Sequence, residues 1–309
     1  MGTESTQAIY YFALGNHLIS ATRSLPYTQG MDLIATLQCA DQPGIVYAMT
    51  NAILECGGNI LENQQFTDSV TQKFVMRTRF ESAKPLSEAR AIFDDALAKY
   101  SPTISLRETS AKKRALVMVT TESHCLRDLL YLQELGELPV EIPAIVSNRE
   151  SLREFVESHG IAFFYLPIES LTKEIAEESV EKLVADLGID LIVLARYMQI
   201  LSAKFTRTFS GRIINIHHSF LPGFKGAKPY HQAHERGVKI IGATAHFVTE
   251  DLDEGPIIEQ DVAHVSHTAS VEDLISLGRD IERRVLSKAV RLYAEDRVFI
   301  AGTRTVIFA

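Results

Sequence analysis

Two short segments bring together residue types that act on carbonyl groups. Asn215-Ile216-His217 sets an amide and an imidazole two residues apart. At an extended strand end that spacing points both side chains to one face. An amide donor beside an imidazole holds and polarises a carbonyl oxygen. Further along lies an acidic turn, Glu250-Asp251-Leu252-Asp253-Glu254-Gly255-Pro256. A carboxylate from that turn would orient the imidazole, stabilise its positive charge and order a water. Taken alone, Asn-x-His is a weak signal, and a strand-end hydrogen-bond pair is its commoner meaning.

The other clusters are less promising. His217, His218, His231, His234 and His246 invite a zinc site, but their spacing fits no standard template and HExxH is absent, so no metal is expected. His218 and His246 are better placed as hydrogen-bond partners of the central pair. His124-Cys125 would be adjacent on a helix and face different ways, so Cys125 is expected to be packed rather than nucleophilic. The acidic turn lacks the Asp-x-Asp-x-Asp-Gly spacing of a calcium loop.

These residues need elements to hold them. Residues 32–38 alternate as a strand, and Asp41-Gln42-Pro43-Gly44 is a turn that opens a helix at Ile45. The helix runs to residue 56, where Gly57-Gly58 stops it. Strands over 59–68 and 73–80, a helix over 86–100 and a strand over 104–107 complete a βαββαβ, ferredoxin-like order. Residues 109–113 read as a solvated linker, with Lys112-Lys113-Arg114 at its end. The rhythm then changes. Strands over 115–119, 140–147, 162–166, 191–195 and 213–216 alternate with helices over 123–135, 151–159 and 172–187. Such alternation implies right-handed crossovers and a doubly wound, mostly parallel sheet. Residues 240–248 and 256–265 make a hairpin at its side, and 271–293 a closing helix. The fold class is therefore α/β. The division is a 1–30 extension without a clear role, a 31–108 domain, the 109–113 linker and a 114–309 catalytic domain.

Composition excludes several classes. The net charge of −8 argues against a general nucleic-acid binder, which needs a basic face. No apolar run reaches membrane-spanning length, and the first thirty residues lack the basic and apolar blocks of a signal peptide. Three scattered cysteines without a CxxC pair suit a reducing, cytoplasmic setting.

Three blocks sharpen this reading: Ile214-Asn215-Ile216-His217-His218-Ser219-Phe220-Leu221-Pro222, Gly242-Ala243-Thr244-Ala245-His246-Phe247-Val248 and Leu252-Asp253-Glu254-Gly255-Pro256-Ile257-Ile258. Together with their spacing they resemble the signature of the folate-dependent formyltransferases, from Arg114 to about the C-terminus. Residues 31–108 resemble an ACT domain. The resemblance implies a branch that hydrolyses 10-formyltetrahydrofolate to formate and tetrahydrofolate; His231 and Gly278-Arg279-Asp280 fit it. It implies Asn215, His217 and Asp253 as the catalytic trio, with no cofactor. Tyr197, Met198, Gln199, Ile200 and Leu201 would line the pterin pocket, with Val248 to Asp251 closing over the ring. Gln199 stands where relatives often carry Arg, so an ionic contact with the folate tail would fall to Lys225 or Lys228, whose alternative role is as solvated loop charges. It further implies an amino-acid effector, glycine or methionine, near Asp41, Gly44 and Ile45, and a homo-oligomer, dimer or tetramer. Glycinamide ribonucleotide formyltransferases cradle a phosphate on a glycine-rich loop after their first strand. Here that turn reads Thr120-Thr121-Glu122-Ser123-His124-Cys125, with no glycine and an anion, which points to water as the acceptor.

Overall fold

A computed structural model of the chain describes residues 30–167, 172–221 and 229–309. The expected 1–30 extension, Gly30 apart, and the two lysines Lys225 and Lys228 lie outside the described residues. None of the described helices is long and apolar enough to cross a membrane.

The first unit runs β1 (Met31–Ala40), α1 (Ile45–Glu55), β2 (Asn59–Asp68), β3 (Lys73–Ser82), α2 (Leu86–Leu97) and β4 (Thr103–Glu108). Its antiparallel sheet has the order β2-β3-β1-β4. Every second residue of β1, from Leu33 through Ala35 and Leu37 to Cys39, is buried in the core with Met49 of α1 and Phe93 of α2. This is the period-two alternation of a strand with one face on helices. Phe80 stacks on Phe93, ring centroids 5.5 Å apart.

The second unit begins with β5 (Lys113–Val119), α3 (His124–Glu134), β6 (Val140–Ser147), α4 (Arg153–Ser158), β7 (Ala162–Tyr165), α5 (Lys173–Asp186) and β8 (Leu191–Leu194). It continues with α6 (Ala203–Thr208), β9 (Ile213–His217), α7 (Pro229–Glu235), β10 (Ile240–Phe247), β11 (Ile257–His264) and α8 (Val271–Ala294). The seven-stranded sheet has the order β11-β10-β9-β8-β5-β6-β7. Its first five strands in chain order are parallel, and β10–β11 forms the expected antiparallel hairpin at one edge. The chain winds outward from β5 to β7, then returns to β8 on the other side of β5. That reversal places a switch point between β5 and β8, the position at which open α/β sheets take their ligands. The runs that form β5 and β8 are buried over nearly their whole length, as strands covered on both faces must be.

Three elements were not foreseen. Helices α6 and α7 are short, six and seven residues, and too brief to show a periodic apolar face. A hairpin of β12 (Val298–Ala301) and β13 (Arg304–Ile307) follows α8. It packs Phe299 and Phe308 on Val75 of β3, on the sheet face away from α1 and α2. The basic block also behaves differently from a solvated linker. Lys113 belongs to β5, lies over the Tyr293 ring at 4.6 Å, and shares the Asp296 carboxylate with Arg107. Arg114 pairs with Glu141 at 2.7 Å. Charge density marked this segment as polar, but the carboxylates that neutralise it come from distant parts of the chain.

Candidate active site

β8 and β9 run out at the carboxyl rim of the sheet, into residues 195–201 and 218–221. β10 is antiparallel, so its end travels the other way. The Val248 amide donates to the Ile213 carbonyl, level with the start of β9. The following turn then comes back along β9 until Asp253 stands beside His217. Gly255 permits this path: a Cβ there would stand 1.7 Å from the Phe247 carbonyl oxygen. A tight turn thus doubles back to deliver the carboxylate.

Within β9, Ile214 and Ile216 enter the core that includes Ile281 and Val285 of α8. Asn215 and His217 point the other way and line a cavity of about 280 Å³. His217 Nδ1 lies 3.2 Å from Asp253 Oδ1, and His246 Nε2 lies 3.7 Å from the same oxygen. His246 Nδ1 is 2.8 Å from the Phe247 carbonyl, which only an N–H can satisfy, so the neutral ring carries its proton there. Its Nε2 then accepts from Asn215 Nδ2 at 3.3 Å. This fixes the Asn215 amide and leaves its second N–H for a ligand. His217 Nε2 is buried and has no hydrogen-bond partner among the described residues. The hydrogen bond from His217, with the His246 ring close by, holds the Asp253 carboxyl well below the usual carboxylate range in spite of its burial. Asp253 adopts a left-handed backbone, φ 58, which short polar side chains tolerate better than most.

The residues expected to form the pterin pocket share the same cavity. Tyr197, Met198, Gln199, Ile200, Leu201, Val248 and Asp251 all line it, together with Arg196, Thr206, His218 and Leu252. Met198, Ile200 and Leu252 are exposed apolar side chains around its mouth, a surface a flat aromatic ligand would cover. The 197–201 loop is held at both ends. Met198 N donates to Thr120 Oγ1 at 3.0 Å, and the buried Glu177 carboxylate accepts from the backbone and hydroxyl of Ser202.

His218, expected as a hydrogen-bond partner of the central pair, instead stacks its ring on His217 at 5.1 Å. Near it stand Arg196, Tyr230 and Glu282, to which sequence reasoning gave no role. Arg196 Nη1 meets His218 Nδ1 at 2.7 Å, and Arg196 Nε lies 3.5 Å from Glu282. Glu282 is 1 % exposed and also takes hydrogen bonds from Tyr230 and His124, each at 2.8 Å. A signal for Glu282 existed: it falls on the apolar stripe of α8 with Gly278, Ile281 and Val285. Arg196 had only its position, two residues past the end of β8 and next to Tyr197. His124, Cys125 and Glu282 bring donor atoms within 4.8 Å of one another. Arg196 beside Glu282 makes that group a poor place for a cation, and burial pushes the Cys125 thiol up, away from the thiolate a metal needs.

The sequence profile described as Formyl transferase matches residues 113–290. Solved structures with the fold include a glycinamide ribonucleotide transformylase from Symbiobacterium toebii, 32% identical with a TM-score of 0.61, covering 65% of this chain and 96% of that one. Likeness is higher to proteins named formyltetrahydrofolate deformylase. That of Corynebacterium sp. (strain P-1) is 46% identical over 277 residues, 89% of this chain and 97% of its own. The Escherichia coli (strain K12) protein is 45% identical over 271 residues, 87% and 95% of the two chains. The crystal structure of the Burkholderia mallei deformylase has a TM-score of 0.88 at 41% identity, covering 90% of this chain and all of that one. The chain belongs to the formyl transferase family, in its formyltetrahydrofolate deformylase branch.

The His218 environment gives a pH prediction. Burial, then the Arg196 charge, pushes its imidazole down from 6.5 to about 4. Between those values the unfolded chain holds more protons than the folded one, so stability falls as pH drops. By pH 5 the loss reaches about 2 kcal/mol. Asp253 is shifted in the same direction, but its contribution is present above 3.8 and lost only as pH falls below it, outside this window. Urea denaturation at pH 7 and pH 5 should show the loss in the natural chain and a smaller one in His218→Gln. Equal losses in both would mean that His218 does not titrate as its surroundings dictate.

Proposed function

We propose that this chain hydrolyses 10-formyltetrahydrofolate to formate and tetrahydrofolate, with Asn215, His217 and Asp253 carrying the chemistry. The observation that carries the reading is the buried, unpartnered His217 Nε2 on the same cavity as Asn215, while Nδ1 of that ring is engaged by an ionised carboxylate. Such a ring stabilises positive charge and presents an N–H where a carbonyl oxygen develops charge. The formamide oxygen accepts from Asn215 and from protonated His217. Asp253 holds the attacking water and takes one of its protons. The water oxygen bonds to the formyl carbon, the bond from that carbon to the folate nitrogen breaks, and the nitrogen leaves protonated. Formate is the other product. The chemistry calls for no cofactor and no metal. Tyr197, Met198, Gln199, Ile200 and Leu201 form one wall of the pterin pocket, and Val248 and Asp251 the other. The protein works in the cytoplasm, as a dimer or tetramer, with residues 31–108 as an ACT-like regulatory domain and 114–309 as the catalytic domain joined by 109–113.

Formyl transfer to an amine is the rival. The turn after β5 supports water instead, because Glu122, paired with Arg279 at 3.2 Å, puts a carboxylate where a phosphate cradle would stand. Supplied with 10-formyltetrahydrofolate and no acceptor, the protein should release formate, and the rate should be unchanged by EDTA. Release only on adding an amine would make it a transferase; loss with EDTA and recovery with zinc would overturn the metal-free mechanism.

Asp253→Asn keeps the size, and Asn tolerates the same left-handed backbone. Removing the charge takes away the proton acceptor and the partner of the imidazolium together. The turnover number should fall by about 10²–10⁴-fold with KM little changed. Asp251→Asn, on the pocket rim, should act mainly on KM. A near-normal kcat in Asp253→Asn would reduce Asp253 to a turn residue.

The effector belongs at Asp41, Gly44 and Ile45. Gly44 opens α1 with φ 93 and no side-chain cap, leaving N–H groups for a carboxylate. The Tyr100 hydroxyl, buried and unpartnered among the described residues, lies 2.7 Å from where a Gly44 Cβ would stand. Calorimetric titration with glycine or methionine should show binding that Gly44→Ala abolishes. No heat with either amino acid would leave this domain a purely assembling one.

A further inference from the structure

Arg196 and His218 line the same cavity as residues 197–201 and 248–253. Arg196 follows the end of β8, beside the switch point between β5 and β8 at which open α/β sheets take ligands. Side chains gather there. Arg196 reaches from the end of β8, His124 from the first turn of α3, Tyr230 from α7 and Glu282 from α8. They meet on one carboxylate, with Arg196 15%, His124 13% and Glu282 2% exposed at the side chain. Gly278 lets Tyr230 in: a Cβ at that position would stand 2.0 Å from the Tyr230 hydroxyl. The group is neutralised within itself, since burial alone would push the Glu282 carboxyl up, yet the His124 hydrogen bond and Arg196 bring it below its ordinary value. Arg196 holds a left-handed backbone, φ 65, unusual for a long side chain and maintained by these contacts.

A nucleophile other than water would have to share the crevice with the folate. The pterin side is taken by the folate itself, so a second organic substrate has to approach across His218. We propose that Arg196, anchored by Glu282, is the specificity-determining residue that occupies the acceptor half of the crevice and reserves the formyl carbon for water. The inference rests on the hydrolytic reading above. Water needs no pocket of its own beyond a place on Asp253. An amine carried on a larger molecule needs the volume that the guanidinium fills.

The test is the partition of the formyl group between water and a small amine. In hydrolysis the water oxygen bonds to the formyl carbon and the folate nitrogen departs with a proton. With hydroxylamine its nitrogen forms that bond instead, its proton goes to the departing folate nitrogen, and the products are formohydroxamate and tetrahydrofolate. The full-length protein should yield almost only formate. Arg196→Gly with Glu282→Gln empties the space and removes both charges of the pair, and glycine suits the backbone at position 196. In this double variant the ratio of hydroxamate to formate should rise about tenfold or more, the scale of discrimination that pocket shape supplies. Arg196→Lys, which keeps bulk and charge, should hold the ratio near that of the natural chain. Should the double variant fail to fold, Arg196→Gly alone is read in the same way. An unchanged ratio overturns the proposal. So does loss of both products in a folded variant that still binds tetrahydrofolate, because Arg196 would then serve the chemistry itself. If the natural chain released no formate without an amine, the hydrolytic reading would fail first, and the two failures are separable on that control.

Discussion

The pairing of Asp253 with His217 is the contact on which the site depends, and it is demanding to make. The carboxylate comes from a turn between antiparallel strands, not from the rim where parallel strands converge. To reach the imidazole the chain must retrace the length of β9, bring Gly255 against the Phe247 backbone and hold Asp253 in a left-handed conformation. Such a conformation costs on the order of 1 kcal/mol and persists only where surrounding contacts outweigh it. His217 on β9 supplies the main contact, with His246 of the neighbouring strand close by. The carboxylate thus keeps its charge in a half-buried place and fixes the orientation of the His217 ring.

From this pairing the remaining polar order follows. With His217 engaged through Nδ1 and His246 through both nitrogens, the amide of Asn215 has one orientation that satisfies its neighbours. His217 therefore keeps Nε2 without a partner among the described residues, on the cavity that Asn215 also lines. Preorganisation of this kind is what catalysis by hydrogen-bond donors requires, because the donors do not reorient when charge develops. The apolar wall of Met198, Ile200 and Leu252 contributes differently: it offers area and no competing hydrogen bonds.

Much of this was readable in the residues. The order of strands and helices, the hairpin at the sheet edge and the common face of Asn215 and His217 all follow from local periodicity. That is why they survive in three dimensions. The pocket residues 197–201 were placed through resemblance, and they line the cavity. What escaped notice is long-range. Arg196 and Glu282 meet across two elements, and nothing near either residue announces the other. Asp296 takes charge from two basic residues that looked like a solvated linker, since a sequence displays charges but not the distance to their partners. Helices α6 and α7 are below the length at which a period is visible. The sign of φ at Asp253 and Arg196 is set by what the side chains bind and not by what they are.

The β12–β13 hairpin has a consequence for the order in which the molecule can be assembled. It covers Val75, and the Glu295 carbonyl just before it accepts from the buried Arg77, on a strand synthesised far earlier. During translation the small sheet is complete well before its rear surface has a cover. Until the hairpin emerges, an apolar valine and a guanidinium destined for burial face water and any other nascent chain nearby. The ribosome thus releases the first unit in a sticky, unfinished form, and the segment that finishes it is the one made after α8.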